Sequence, residues 1–144
     1  SLYLLRMIMK YLVLALIVLS TNAFAGKEHP VDMAMSKCLK TNSNQTTAGM
    51  NNCVYQAMEE WDRELNRVYK LLMAELNEKG RKHLVLAQRQ WIKQRDLEFD
   101  FLKAMYVRMR FSGSMYSNMH SMDALYVVKD RVLTLNKYLV KHSI

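Results

Sequence analysis

Four carboxylates, Glu59, Glu60, Asp62 and Glu64, stand close enough in the chain to be weighed as a general acid and base. On a helix they spread over more than half of the circumference, and a solvated helix face accounts for most of them. The chain has no G-x-S-x-G, no H-E-x-x-H and no phosphate-binding glycine loop. No His, Asp and Ser are spaced so that local helix geometry would join them. The residues therefore point to binding and not to an enzyme. Methionine is the conspicuous excess: Met105, Met109, Met115, Met119 and Met122 crowd one region, with His120 among them. Thioethers favour soft Cu(I), which gives a copper-carrier reading. Methionine also fills helical cores, and Met105, Met109 and Met122 fall on apolar stripes, so core filling is favoured. No metal or cofactor is assigned, and the scattered His29, His83, His120 and His142 default to surface roles.

A second group of polar residues travels with the apolar stripes. Asp62, Asn66 and Tyr69 lie one turn apart beside Trp61, while Gln88, Trp91 and Arg95 share a helix face with Asp96 adjoining. Polar groups next to a core seam need partners, so Arg95 is expected to pair with Asp62 or Asp96. Both tryptophans are expected in the interior. A network that fixes helix register is favoured over a ligand site.

Long helices must carry these residues. Only Pro30 and the glycines Gly26, Gly49, Gly80 and Gly113 interrupt the chain after position 25. Asp32 can cap a short helix through Cys38 to Lys40, and Thr41 to Gln45 form a polar loop. Thr46 or Thr47 can cap a long helix with the stripe Met50, Cys53/Val54, Ala57, Trp61, Leu65, Val68, Leu72 and Leu76. Asn77-Glu78-Lys79-Gly80 is the expected stop, with Gly80 as the C-terminal break. A second long helix from about Arg81 carries Leu84, Ala87, Trp91, Leu97/Glu98, Phe101/Leu102, Met105 and Met109. A third begins near Ser117 or Ser121 and runs to about His142, with Met122, Leu125, Val128, Val132, Leu135 and Leu139 as its stripe. No segment alternates as a strand would. The fold class read from this is all-α, an antiparallel bundle of three long helices plus a short N-terminal one.

The first 25 residues read as an export signal. Arg6 and Lys10 are followed by the apolar run YLVLALIVL and by Ala23-Phe24-Ala25, a small-x-small cleavage pattern. The run is about half of the ~20 residues a membrane-spanning helix needs, so no stable span is expected after cleavage. Residues 26–144 then form one helical domain, periplasmic or secreted. In such a compartment Cys38 and Cys53 read as a disulfide closing a loop of about 16 residues. Of 21 basic residues, two go with the signal; 19 remain against 13 acidic ones, a charge of +6. A basic balance favours an acidic partner such as an anionic envelope component, and export argues against nucleic acid.

The ordered set Cys38…Thr47-x-x-Met50-x-x-Cys53, Trp61-Asp62-x-x-Leu65-Asn66-x-x-Tyr69, Ala87-Gln88-x-x-Trp91-x-x-x-Arg95-Asp96, Gly113-Ser114 and Arg131-x-x-x-Leu135 resembles the LprI-type lysozyme-inhibitor N-terminal domain family. The resemblance covers about residues 36–140. It implies a small exported helical domain, some of whose relatives inhibit lysozyme, and hence a cell-wall hydrolase as partner. Similar proteins usually carry a second cysteine pair, whose positions fall here near Phe99 and in the Met119–Asp123 region. That bridge is absent. The segment with Arg108, Arg110, Phe111, Ser112 and Ser114 combines cations, an aromatic and hydroxyls around a Gly-Ser turn, and is the candidate binding loop.

Overall fold

The computed structural model describes residues 28–109 and 115–142, all helix apart from short connections. The export signal read at residues 1–25 lies outside the described residues. So do Arg110, Phe111, Ser112 and Ser114 of the candidate loop and the side chain of Arg108. The helices are α1 (Pro30–Leu39), α2 (Thr47–Glu75), α3 (Glu78–Met109) and α4 (Met115–His142), with a 3-10 turn at Asn42–Asn44. No strand occurs among the described residues, so the fold is all-α.

Helix starts follow their capping chemistry. Pro30 opens α1, where its missing N–H costs nothing. The cap is His29, whose Nδ1 accepts from the Val31 N–H at 3.2 Å. Asp32, expected as the cap, lies instead in the first turn and accepts from Lys129 of α4 at 2.7 Å. Thr46 caps α2 by accepting from the Gly49 N–H at 3.1 Å. A Cβ on Gly49 would lie 2.6 Å from Asn44 Cα, so glycine is what lets the 3-10 turn lie against the helix start.

Gly80 does not stop α2. The break comes earlier, where Leu76 takes an extended conformation after Glu75. Asn77 then caps α3, its Oδ1 accepting from the Gly80 N–H at 2.9 Å. Gly80 is therefore in the first turn of α3. Arg81 reaches back, its Nε donating to the Met73 carbonyl at 2.9 Å, and satisfies part of the end of α2.

The core lies mainly between α2 and α4. Val54, Ala57, Trp61, Leu65, Val68 and Leu72 of α2 meet Leu125, Val128, Val132 and Leu135 of α4. Steps of three and four keep each set on one helix face. Helix α1 covers the early part of α2, tied by a disulfide between Cys38 and Cys53 with Cα atoms 5.7 Å apart. Helix α3 rests on α4 and touches α2 far less. Its inward face is the expected one only in part. Leu84 and Leu102 are buried and Gln88, Trp91, Arg95 and Phe99 partly buried, whereas Ala87, Leu97, Glu98 and Phe101 face outward. With α4 as its main neighbour, α3 needs only a narrow seam.

Candidate interaction groove

The polar residues singled out in the sequence separate into two places. Trp61 is fully buried in α2, with the His29 ring 4.3 Å away and the Lys129 ammonium 5.5 Å from the indole centroid. Asp62 and Asn66 lie on the exposed side of the same helix. Asn66 Nδ2 donates to the Asp62 carbonyl at 2.9 Å, a local bond one turn long. Tyr69 is half-buried against the core. These residues do not meet Arg95.

The second group gathers at the α3–α4 seam. Arg131 of α4 donates through Nε to Gln88 Oε1 at 2.9 Å, and its guanidinium lies 5.7 Å from the Trp91 ring. Burial holds the Arg131 pKa below its ordinary value. Arg95 packs over Trp91 and Phe99 at 5.5 and 5.8 Å and donates twice to Asp96 Oδ1, at 2.9 and 2.7 Å. Asp96, not Asp62, is its partner. Trp91 is half-buried between the two guanidinium groups, where a full interior position was expected. One end of the seam is closed by Tyr106, whose hydroxyl donates to Asp123 at 2.6 Å. That hydrogen bond to the carboxylate, helped by burial, raises the phenol pKa.

Beside this seam runs an open groove of about 490 Å³. Trp91, Leu102 and Tyr126 supply apolar surface, and Glu98, Asp123 and Asp130 line it with Arg131 as the one opposing charge. Asp123 and Asp130 were missed in the sequence, and Glu98 was read only as a position on the α3 stripe. Asp123, Tyr126, Asp130 and Thr134 do recur at helical steps on α4, a legible signal of a second face. What α3 sets opposite them was not legible.

Of the methionines expected in the core, Met122 packs against it, and the side chain of Met109 lies outside the described residues. Met115 and Met119 are 65% and 43% exposed, and Met105 and Met122 are half-buried. A further polar tie was also missed. Buried Ser121 donates to Asn51 Oδ1 at 2.8 Å, and Asn51 Nδ2 donates to Ser117 Oγ at 2.8 Å, joining the starts of α2 and α4. Among the described residues, no group of three or more His, Cys, Asp or Glu is arranged to hold a metal ion. No helix among them is long and apolar enough to cross a membrane.

Comparison with known proteins places this geometry. The sequence model of a family described as "Lysozyme inhibitor LprI" matches residues 38–135. Among solved structures, the chain is similar to the crystal structure of an uncharacterised protein from Burkholderia thailandensis. The TM-score is 0.76 at 26% identity, over 82% of this chain and 57% of that one. This chain thus spans little more than half the length of that protein. No curated protein matches it.

Proposed function

The chain belongs to the LprI lysozyme-inhibitor family, and from that premise we propose that it is an exported binding protein that inhibits a lysozyme-type cell-wall hydrolase. The family match across residues 38–135 carries this reading, because it runs from the first cysteine to the last buried leucine of α4. The fold supports it. A disulfide-tied helical scaffold holds aromatic and charged side chains on the outside at fixed positions, which suits recognition of a protein surface.

The test is lysis of a cell-wall suspension by a panel of lysozymes, from strongly basic to near neutral, with and without the purified protein. Inhibition of at least one enzyme at stoichiometric amounts is the expected result. A second arm replaces Arg108, Arg110 and Phe111 with alanine, to establish whether the segment joining α3 to α4 contributes. If no enzyme is inhibited while the protein binds vesicles of anionic lipid, the inhibitor reading gives way to an envelope protein that holds anionic polymers through the +6 charge of residues 26–144.

A further inference from the structure

On both helices that form the α3–α4 groove, large apolar side chains are exposed among the described residues. On α4, Met119 and Leu133 lie seven residues before and after Tyr126, so all three share one face; they are 43%, 45% and 42% exposed. On α3, Leu97 and Phe101 follow Gln94, which lines the groove, by three and seven residues, and are 65% and 61% exposed. With Tyr126 lining the groove and the other four flanking it by helical spacing, the exposed apolar surface is more than the scattered apolar residues of an ordinary surface.

We propose that this groove is the surface on which the inhibited enzyme docks, and that it takes a basic segment of that enzyme, an arginine or lysine flanked by apolar residues. The inference rests on the inhibitor reading and adds to it the place and chemistry of the contact. Charge complementarity selects the occupant. The chain after residue 25 carries +6, yet the groove is lined by three carboxylates, Glu98, Asp123 and Asp130, against one guanidinium. That guanidinium, Arg131, is already engaged by Gln88 and Trp91. Asp123 is held by Tyr106, while Glu98 and Asp130 are exposed and face the channel.

An incoming cation would thus meet two carboxylates between aromatic walls, with apolar rims to exclude water around it. Aromatic anchors around a charged centre are the usual composition of an interface hot spot. The arrangement also answers an electrostatic difficulty. Common animal lysozymes are strongly basic, so two positively charged proteins must associate. A local acidic groove supplies short-range attraction where the net charges repel. An anionic polymer, the alternative partner, would be repelled from this surface.

Two double variants and a control test the proposal. Glu98→Gln with Asp130→Asn removes the two exposed charges, and Leu97→Ser with Phe101→Ser removes the α3 rim. All four side chains are exposed, so folding should survive, as thermal melts can verify. Glu59→Gln with Glu75→Gln removes two exposed charges elsewhere on α2. Binding to a strongly basic lysozyme is measured by calorimetry, together with inhibition. Each groove variant should weaken binding tenfold or more, and the control should stay within twofold. If the unaltered protein inhibits and both groove variants bind within twofold of it, the groove is not the contact and the inhibitor reading stands. If the unaltered protein inhibits no lysozyme, that reading fails and takes the proposed occupant with it. Binding of a chito-oligosaccharide in place of lysozyme, lost in the Leu97→Ser, Phe101→Ser variant, would overturn the protein occupant in favour of a glycan.

Discussion

Glu64 illustrates how a single residue contributes to the acid dependence of this fold's stability. Its carboxyl is held below its ordinary value of 4.5, first by the hydrogen bonds from Arg67 at 2.6 and 2.7 Å and then by charge, Arg67 and His29 both adding to it against a burial cost. A lowered folded-state pKa means the ionised form favours folding. The contribution is complete above about pH 4.5 and is lost as pH falls through the lowered value. Glu64→Gln should therefore flatten the acid limb of a plot of Tm against pH and leave its slope near neutrality unchanged. An acid limb as steep as that of the native protein would remove Glu64 from the account. The two arginines at the α3–α4 seam differ in the same physical terms. Arg95→Ala loses an ion pair to an exposed Asp96 and some ring packing, about 1 kcal/mol. Arg131→Ala strips Gln88 of its donor and uncovers Trp91 at a more buried place, about 2 kcal/mol. Chemical denaturation of both variants checks the order, and a larger loss for Arg95→Ala would show that the seam is held elsewhere. Sequence reasoning singled out Gln88, Trp91 and Arg95 because polar residues on a helical seam need partners, and Arg131 only through the family resemblance. It could not choose between Asp62 and Asp96, because that choice depends on how α3 is rotated against its neighbours.

At the scale of elements, legibility followed the number of apolar faces. Helix α2 has one continuous stripe, from Val54 to Leu72, so its buried face was evident from spacing alone. Helix α3 carries Leu84, Leu86, Ile92, Leu97, Phe101 and Leu102 around much of its circumference, so the stripe read from spacing was right at Leu84, Trp91 and Leu102 and took in exposed Ala87, Leu97 and Phe101 besides. The α2–α3 break was misread for a different reason. Gly80 is the stronger breaker by propensity, but the Asn77 side chain caps a helix that begins ahead of it. The narrow seam of α3 has a dynamic consequence. With Leu84 and Leu102 as its buried apolar residues, α3 has less to hold it than α2 or α4. Hydrogen exchange should find the slowest amides in the facing centres of α2 and α4, with faster exchange through the middle of α3. Equal protection in all three helices would contradict this. The disulfide acts on a different element. Replacing Cys38 and Cys53 with serine should cost about 3 kcal/mol, from the restored freedom of the loop they close, and should release α1 from α2.

On the scale of the whole molecule, net charge and local charge oppose one another, and salt separates them. The +6 of residues 26–144 acts at long range, because a Debye length of about 30 Å at 0.01 M salt lets the whole surface contribute. The carboxylates of the groove act at contact. Raising salt to about 0.15 M shortens the screening length to about 8 Å, so repulsion between two basic proteins fades while a seated cation stays largely unscreened. The association rate with a strongly basic lysozyme should therefore rise, or hold level, between these two salt concentrations. The Glu98→Gln, Asp130→Asn variant should keep this rise, since the global charge remains positive, but should dissociate faster at every salt concentration. An anionic polymer would behave oppositely, with affinity falling steadily from the lowest salt upward, because attraction to +6 is what screening removes. Stopped-flow association with lysozyme and titration with anionic vesicles, run over one salt series, set the two patterns side by side. If lysozyme association slows monotonically from 0.01 M salt, long-range attraction is steering the encounter. The acidic groove would then outweigh the net positive charge already at long range, and the predicted opposition between local and net charge would not hold.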